Sequence, residues 1–209
     1  MLLHYFPELF HARLDKELAA QERQAEEIGA RSFCRPNAAS DEDYGPAIAS
    51  RHPSTTFYDY SKVRQRVRDY LAGKFPANYH ISYSVHENSQ FSDVAEFLRA
   101  GGNVVIVVDS YYWGPSKRYG TLPSQVTFTS TAGELITVPA VDGDIYDIRT
   151  PEFDGQGVAV CLRLKSQSNK VKESARESGF ARAFKLGGKE FSQRFEFPAQ
   201  AGILQAVLK

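Results

Sequence analysis

Cysteine is almost missing from this sequence. Only Cys34 and Cys161 occur among 209 residues, far apart in the chain. That argues against a disulfide framework and fits a reducing compartment. Net charge is missing as well, with 25 basic residues balancing 25 acidic ones. A nucleic-acid binder driven by bulk charge carries a basic excess, so any such binding has to come from a local patch. No apolar run approaches the roughly 20 residues that span a bilayer. The first residues, Met-Leu-Leu-His-Tyr-Phe-Pro, lack the charged and long apolar regions of a signal peptide. A cytoplasmic protein without membrane insertion is expected. Phosphate-cradling glycine loops are absent too: Gly101-Gly102 ends a helical pattern, whereas a phosphate site needs glycines before one.

What is present is 42% apolar content, enough for one α/β domain with a real core. The organising stretch runs from Tyr79 to Asp109 and reads as strand, helix, strand. Tyr79, Ile81, Tyr83 and Val85 alternate in the strand period. Ser92 and Asp93 suit the opening of a helix that stops at Gly101. Val104-Val-Ile-Val-Val108 is apolar on both faces, so it needs cover on both, as in a parallel sheet flanked by helices. Upstream, Pro7 and Gly29 bracket an amphipathic helix, placing an N-terminal helical unit at 1–34. It either lies on the sheet or forms an arm for a partner. Residues 35–56 read as a long connector, and 57–209 as the α/β domain. Within it, Phe57–Tyr60 is a strand and Ser61 caps a helix ending at Gly73. A β-hairpin insertion turns at Ala132-Gly133, Gly157–Leu164 is a strand, Lys165–Ser178 loops out, Phe180–Phe184 is a short strand, and the apolar tail from Phe191 docks back.

Three clusters carry candidate chemistry. Arg64, Arg66 and Arg68, with Lys62, occupy an outer helix face that is either merely solvated or contacts phosphate or an acidic protein. Tyr111, Tyr112, Trp113, Lys117, Arg118 and Tyr119 leave the C-terminal end of a buried strand, where open α/β sheets bind ligands. They suit stacking on bases or a protein surface, or a lid over the core. Asp142, Asp144 and Asp147 offer oxygens to a hard cation, but the spacing is not that of a calcium loop. Turn chemistry with an Asp147–Arg149 or nearby ion pair is the plainer reading. His80 and His86, six residues apart, project from one side of an ideal strand beside Glu87, without the spacing of a zinc site. Ser84, His86 and Asp109 have no serine elbow to mark a nucleophile.

Phe57-Tyr-Asp-Tyr-Ser-Lys62, Asn78-Tyr-His-Ile-Ser-Tyr-Ser84, Gly102-Asn-Val-Val-Ile-Val-Val108, Val141-Asp-Gly-Asp144 with Asp147 and Arg149, and Gly157 through Lys165 occur in that order. The set resembles the C-terminal half of a phage- and plasmid-borne protein family, itself similar to degenerate barrel enzymes that hold an iron–sulfur cluster. The resemblance spans Thr55 to Phe184. It implies a partial (β/α) barrel-like or open, mostly parallel sheet. Longer members carry a Cys-rich segment upstream that this chain replaces with a helix and a loop. Two distant cysteines cannot supply the three or four thiolates of a cluster, so no cofactor is expected.

The resulting expectation is a non-enzymatic accessory protein of a mobile element that binds and inhibits another protein, for example a conjugative-transfer component in fertility inhibition. A nucleic-acid-binding or processing factor and a metal-dependent hydrolase built on Asp142, Asp144 and Asp147 are the alternatives.

Overall fold

The computed structural model describes residues 2–38, 40–110, 112–113, 118–119, 124–165, 168–178, 180–184, 192–196 and 205–207. The chain opens with α1 (Leu2–Tyr5), α2 (Pro7–Glu27) and β1 (Ser32–Cys34). Strand–helix alternation follows: α3 (Gly45–Arg51), β2 (Thr55–Ser61), α4 (Arg64–Leu71), β3 (Tyr79–Ser84), α5 (Phe91–Arg99) and β4 (Val104–Ser110). Two short strands, β5 (Tyr112–Trp113) and β6 (Arg118–Tyr119), pair with each other. Next come β7 (Gln125–Thr129), β8 (Leu135–Asp142), α6 (Pro151–Asp154), β9 (Ala159–Arg163), α7 (Asn169–Glu177), β10 (Ala181–Phe184), β11 (Ser192–Glu196) and β12 (Gln205–Val207).

Ten of these strands form one open sheet in the order β1-β2-β3-β4-β9-β8-β7-β11-β12, with β10 added against β4. All pairings are parallel except β7–β8 and β11–β12. The first four strands neighbour one another in chain order. The buried residues of α3, α4 and α5 join a single cluster with the same face of the sheet, through Ile48, Val67, Val94 and Phe97 against Phe57, Tyr79, Ile81, Val104 and Ile106. These three helices therefore cover one face of the sheet, and the connection from β8 to β9 runs over the other. The expected mostly parallel α/β sheet with a hairpin is what the chain forms.

Local chemistry explains the elements. In α5, Phe91, Val94, Ala95, Phe97 and Leu98 are buried on one face. Each large apolar side chain contributes about 1.5–3 kcal/mol on burial. The helix starts after Gln90, one residue before Ser92, and Asp93 lies in its first turn, where a carboxylate meets the positive end of the dipole. It closes at Gly101, whose φ of 82° puts it in the left-handed region. The Gly101 amide donates to Leu98 and the Gly102 amide to Phe97, satisfying the last carbonyls. Gly29 and Gly73 close α2 and α4 with the same bond pattern.

Several segments differ from the sequence reading. Ser32–Cys34 is the edge strand, and Gln21 of α2 covers it by donating to the Phe33 carbonyl at 2.9 Å, which blunts an otherwise open edge. The segment read as a connector contains α3. The segment read as a loop from Lys165 contains α7, with the Val171 amide donating to Ser168 Oγ at 3.4 Å. Ser61 ends β2 and is not the cap of α4, which starts after Val63 without a side-chain cap. The hairpin at Ala132-Gly133 forms as expected, with Thr129 opposite Leu135. The tail returns as β11, parallel to β7.

The second face of the sheet is thinner. Val105, Val158 and Val160 are buried there with Tyr60, Val141 and Leu162 packed on them. Residues 143–156 cover it through buried Arg149 and through Phe153, whose ring meets Phe33 edge-on at 6.0 Å.

Gly45, at the start of α3, sits against the Tyr79 ring, where an added Cβ would collide with the hydroxyl and ring carbons. We expect Gly45→Ala to destabilise the protein by about 1–3 kcal/mol through overpacking, read as a lower urea midpoint at unchanged slope. An unchanged midpoint would show that Tyr79 can yield without cost.

Candidate functional site

Parallel α/β sheets place ligands beyond the carboxyl ends of their strands, and one buried polar cluster of this protein gathers around β2 and the segment that follows β1. Asp59 lies on β2 with the same parity as Phe57 and Ser61, facing the helices, and is fully buried. Asn37 meets it from the segment after β1, donating its amide at 3.0 Å and its side-chain nitrogen at 2.8 Å. Tyr79 of β3 donates its hydroxyl to the same carboxylate. Arg66 of α4 reaches within 3.9 Å of it, donates to Tyr79 Oη at 2.9 Å and pairs with Asp41. Asp41 in turn accepts from Ser61 Oγ at 2.8 Å and from the Lys62 amide at 2.7 Å. Burial and the Asp59 charge push the Tyr79 phenol far up, so it stays a hydrogen-bond donor. Burial, and then Asp59, raise the Cys34 thiol to about 11, and burial raises Cys161 to about 12. Neither is a thiolate nucleophile at neutral pH. The cluster ties β2, β3, α4 and the segment after β1 together through hydrogen bonds and ion pairs.

The nominated arginines are placed differently from a free basic face. Arg66 is buried, because its partners Asp41 and Asp59 lie on the interior side of α4. Arg64 pairs with Asp93 at 3.1 Å, and Arg68 with Asp93 at 3.1 Å and Glu96 at 2.7 Å. Hydrogen bonding to Glu96 raises Arg68 above its ordinary pKa. These two keep 52% and 40% side-chain exposure but are engaged across α4 and α5. In the aromatic-basic stretch, Tyr112 lies opposite Tyr119 and Trp113 opposite Arg118 in the β5–β6 ladder. Tyr111 and Lys117 lie outside the described residues.

The acidic cluster is an ion-pair network. Arg163 of β9 donates to Asp142 at 2.6 Å and to Asp144 at 3.0 Å, and Lys165 meets Asp144 at 2.7 Å. The Asp144 amide also donates to Asp142 Oδ1 at 3.0 Å, a local turn. Gly143 is required for space: a Cβ there would strike Val160 and Leu162. Asp147 is exposed, and Arg149 pairs with Asp154 at 2.5 Å instead. Among the described residues no three His, Cys, Asp or Glu side chains converge to hold a metal ion. His80 sits by Tyr70, with Nδ1 3.3 Å from the hydroxyl, while His86 lies past the end of β3 and accepts the Asn88 amide at 3.2 Å. The strand ends at Ser84, so the two histidines do not share its face. The ladder pairs Ser84 with Val105, well short of Asp109.

Sequence reasoning missed Asn37, Asp41, Asp59 and Tyr79 as a unit. The available signal was parity: Asp59 alternates with Phe57 on a covered face and has to find donors there.

These features define a mostly parallel α/β protein with connections over both faces, in which Asp59, Asp142 and Asp144 are paired internally. The chain belongs to the Gene product 88 family, a phage-type family whose model matches residues 1–183. The match takes in α2 and the segment to Thr55 as well as the stretch from Thr55 onward. No curated protein and no solved structure matches the chain. Membership of this family fits an accessory protein of a mobile element. Among the described residues no helix is long and apolar enough to cross a membrane.

Two outcomes test the site. Arg66→Leu leaves Asp41 and Asp59 without their cation, and should cost about 3–5 kcal/mol of unfolding free energy, measured by urea denaturation; a loss below the usual surface range would refute the network. For Asp144, burial acts to raise the pKa, but hydrogen bonds from Lys165 and Arg163 hold it below its ordinary 3.8. A carboxylate lowered in the folded state stabilises above its unfolded pKa, and that stability is lost as pH falls through the folded pKa. Asp144→Asn should therefore flatten the acid side of the stability–pH curve below about pH 4. An identical acid limb would disprove this.

Proposed function

We propose that this protein is a non-enzymatic accessory factor of a phage or plasmid that acts by binding another protein. The observation that carries this reading is the apolar surface at the start of the chain. Tyr5, Phe6 and Leu9 are 70%, 62% and 59% exposed, whereas the only fully buried residue of α2 is Leu18. Adjacent exposed aromatic and aliphatic side chains are what protein interfaces use as anchors. Ile145 and Tyr146 form a second exposed apolar pair, with Tyr146 5.8 Å from the Phe153 ring.

A concrete version is fertility inhibition, in which the partner belongs to a conjugation machine. The residues that would bind the partner are then Arg64, Arg68 and the stretch with Tyr111, Tyr112, Trp113, Lys117, Arg118 and Tyr119, while Arg66 is buried under α4. The iron–sulfur ancestry suggested by sequence concerns the scaffold, since Cys34 and Cys161 are separated in the sheet by β2, β3 and β4. The nucleic-acid reading loses support because Arg64, Arg66 and Arg68 are each held by carboxylates.

The test is affinity capture with the full chain from cells carrying the host element, comparing wild type with the Phe6→Asp, Leu9→Asp double variant. Wild type should retain a defined protein and the variant should lose at least about tenfold of it, with unchanged circular dichroism. Equal retention by both, or no specific protein with either, would sink the reading.

A further inference from the structure

β3 and β10 lie on the same side of β4, because β9 occupies the other side from Val104 to Val108. β3 pairs with β4 only at Val104 and Val105, and β10 takes over from Val107 to Ser110. The two strands diverge at this changeover. A groove of about 500 Å³ opens nearby, lined by Lys62 just after β2, Glu87 just after β3, Lys170, Val171 and Ser174 of α7, and Phe180 just before β10. Its volume falls within the usual range for small-molecule sites, and its place is where parallel sheets bind ligands.

The lining divides by chemistry. Lys62 and Lys170 contribute two ammonium groups, and among the described residues neither has a carboxylate within ion-pair distance. That sets Lys62 apart from Arg64, Arg66 and Arg68, all of which are paired. The Lys62 backbone is fixed by the hydrogen bond its amide donates to the Asp41 carboxylate, and its ammonium stands 5.6 Å from the centroid of the Phe180 ring. Phe180 and Val171, the latter 54% exposed, give the groove an apolar surface. Glu87 adds one acceptor for a hydroxyl or amine.

The geometry points to a binding site in this groove for a small organic phosphate of nucleotide size. Lys62 and Lys170 take the phosphate as point charges, Phe180 takes a planar or apolar group, and Glu87 accepts from a hydroxyl. The site is independent of the apolar surface at Phe6 and Leu9, so either can fail without the other. Every lining residue falls inside the stretch 1–183 that matches the family.

The experiment is isothermal titration of the full chain with adenosine monophosphate, uridine monophosphate, inorganic phosphate and a single-stranded oligonucleotide. A monophosphate should bind with a dissociation constant below roughly 1 mM, and more tightly than inorganic phosphate. Lys62→Ala and Lys170→Ala should each weaken binding about tenfold, Phe180→Ala should remove the preference over inorganic phosphate, and Lys16→Ala, on the exposed face of α2, should change nothing. No binding of either monophosphate overturns the proposal. Binding that survives both lysine substitutions overturns it too, as does binding of the oligonucleotide alone, which would make the groove part of a nucleic-acid track.

Discussion

A carboxylate without solvent access, Asp59 in β2, constrains the pieces of chain around it. A buried carboxylate is tolerated only when donors surround it, and here they arrive from three directions. Asn37 comes from the segment after β1, Tyr79 from β3, and Arg66 from α4 through Tyr79 and Asp41. Against an apolar replacement of equal shape such a cluster adds little net stability, yet removing one member leaves the others uncompensated. Its consequence is positional. Asn37 and Asp41 are tied to β2 and its end, and α3 begins at a glycine because Tyr79 leaves no room for a Cβ.

The parts of the fold legible in the sequence were those dictated by a single local rule. Five β-branched residues in a row demanded cover on both faces, and β4 lies inside the sheet between β9 on one side and β3 and β10 on the other. Glycines closed α2, α4 and α5 where the helical pattern stopped. What stayed hidden depends on partners distant in the chain. Charge on a helix surface reads as solvated, so Arg66 looked exposed until Asp59 and Asp41 were seen to meet it from β2 and the connector. α7 has few apolar residues, and a polar stretch of that kind reads as loop from sequence alone. The acidic cluster likewise acquired its meaning from Arg163 and Lys165, some twenty residues away. Sequence nominated an arginine face and an aromatic segment, but not the groove, which lies near the place where β10 succeeds β3 along β4.

That changeover follows from an unmet hydrogen-bonding need. β3 spends its length on β2, with registered pairs from Phe57–Tyr79 to Ser61–Tyr83, and touches β4 over two residues only. The edge of β4 beyond Val105 would leave backbone donors and acceptors unsatisfied within a sheet that is otherwise closed on that side. β10 pairs with that edge. To reach it the chain must leave β9, cross the carboxyl ends of the strands and return in parallel. A parallel return requires a crossover, and α7 is that crossover. The same step that completes the β4 ladder raises a helical wall over the strand ends and brings Lys170 and Phe180 opposite Lys62 and Glu87. The groove is thus a product of sheet completion, built from residues that the buried cluster at Asp59 and Asp41 helps to fix, and it sits on a part of the molecule that the apolar N-terminal surface leaves open.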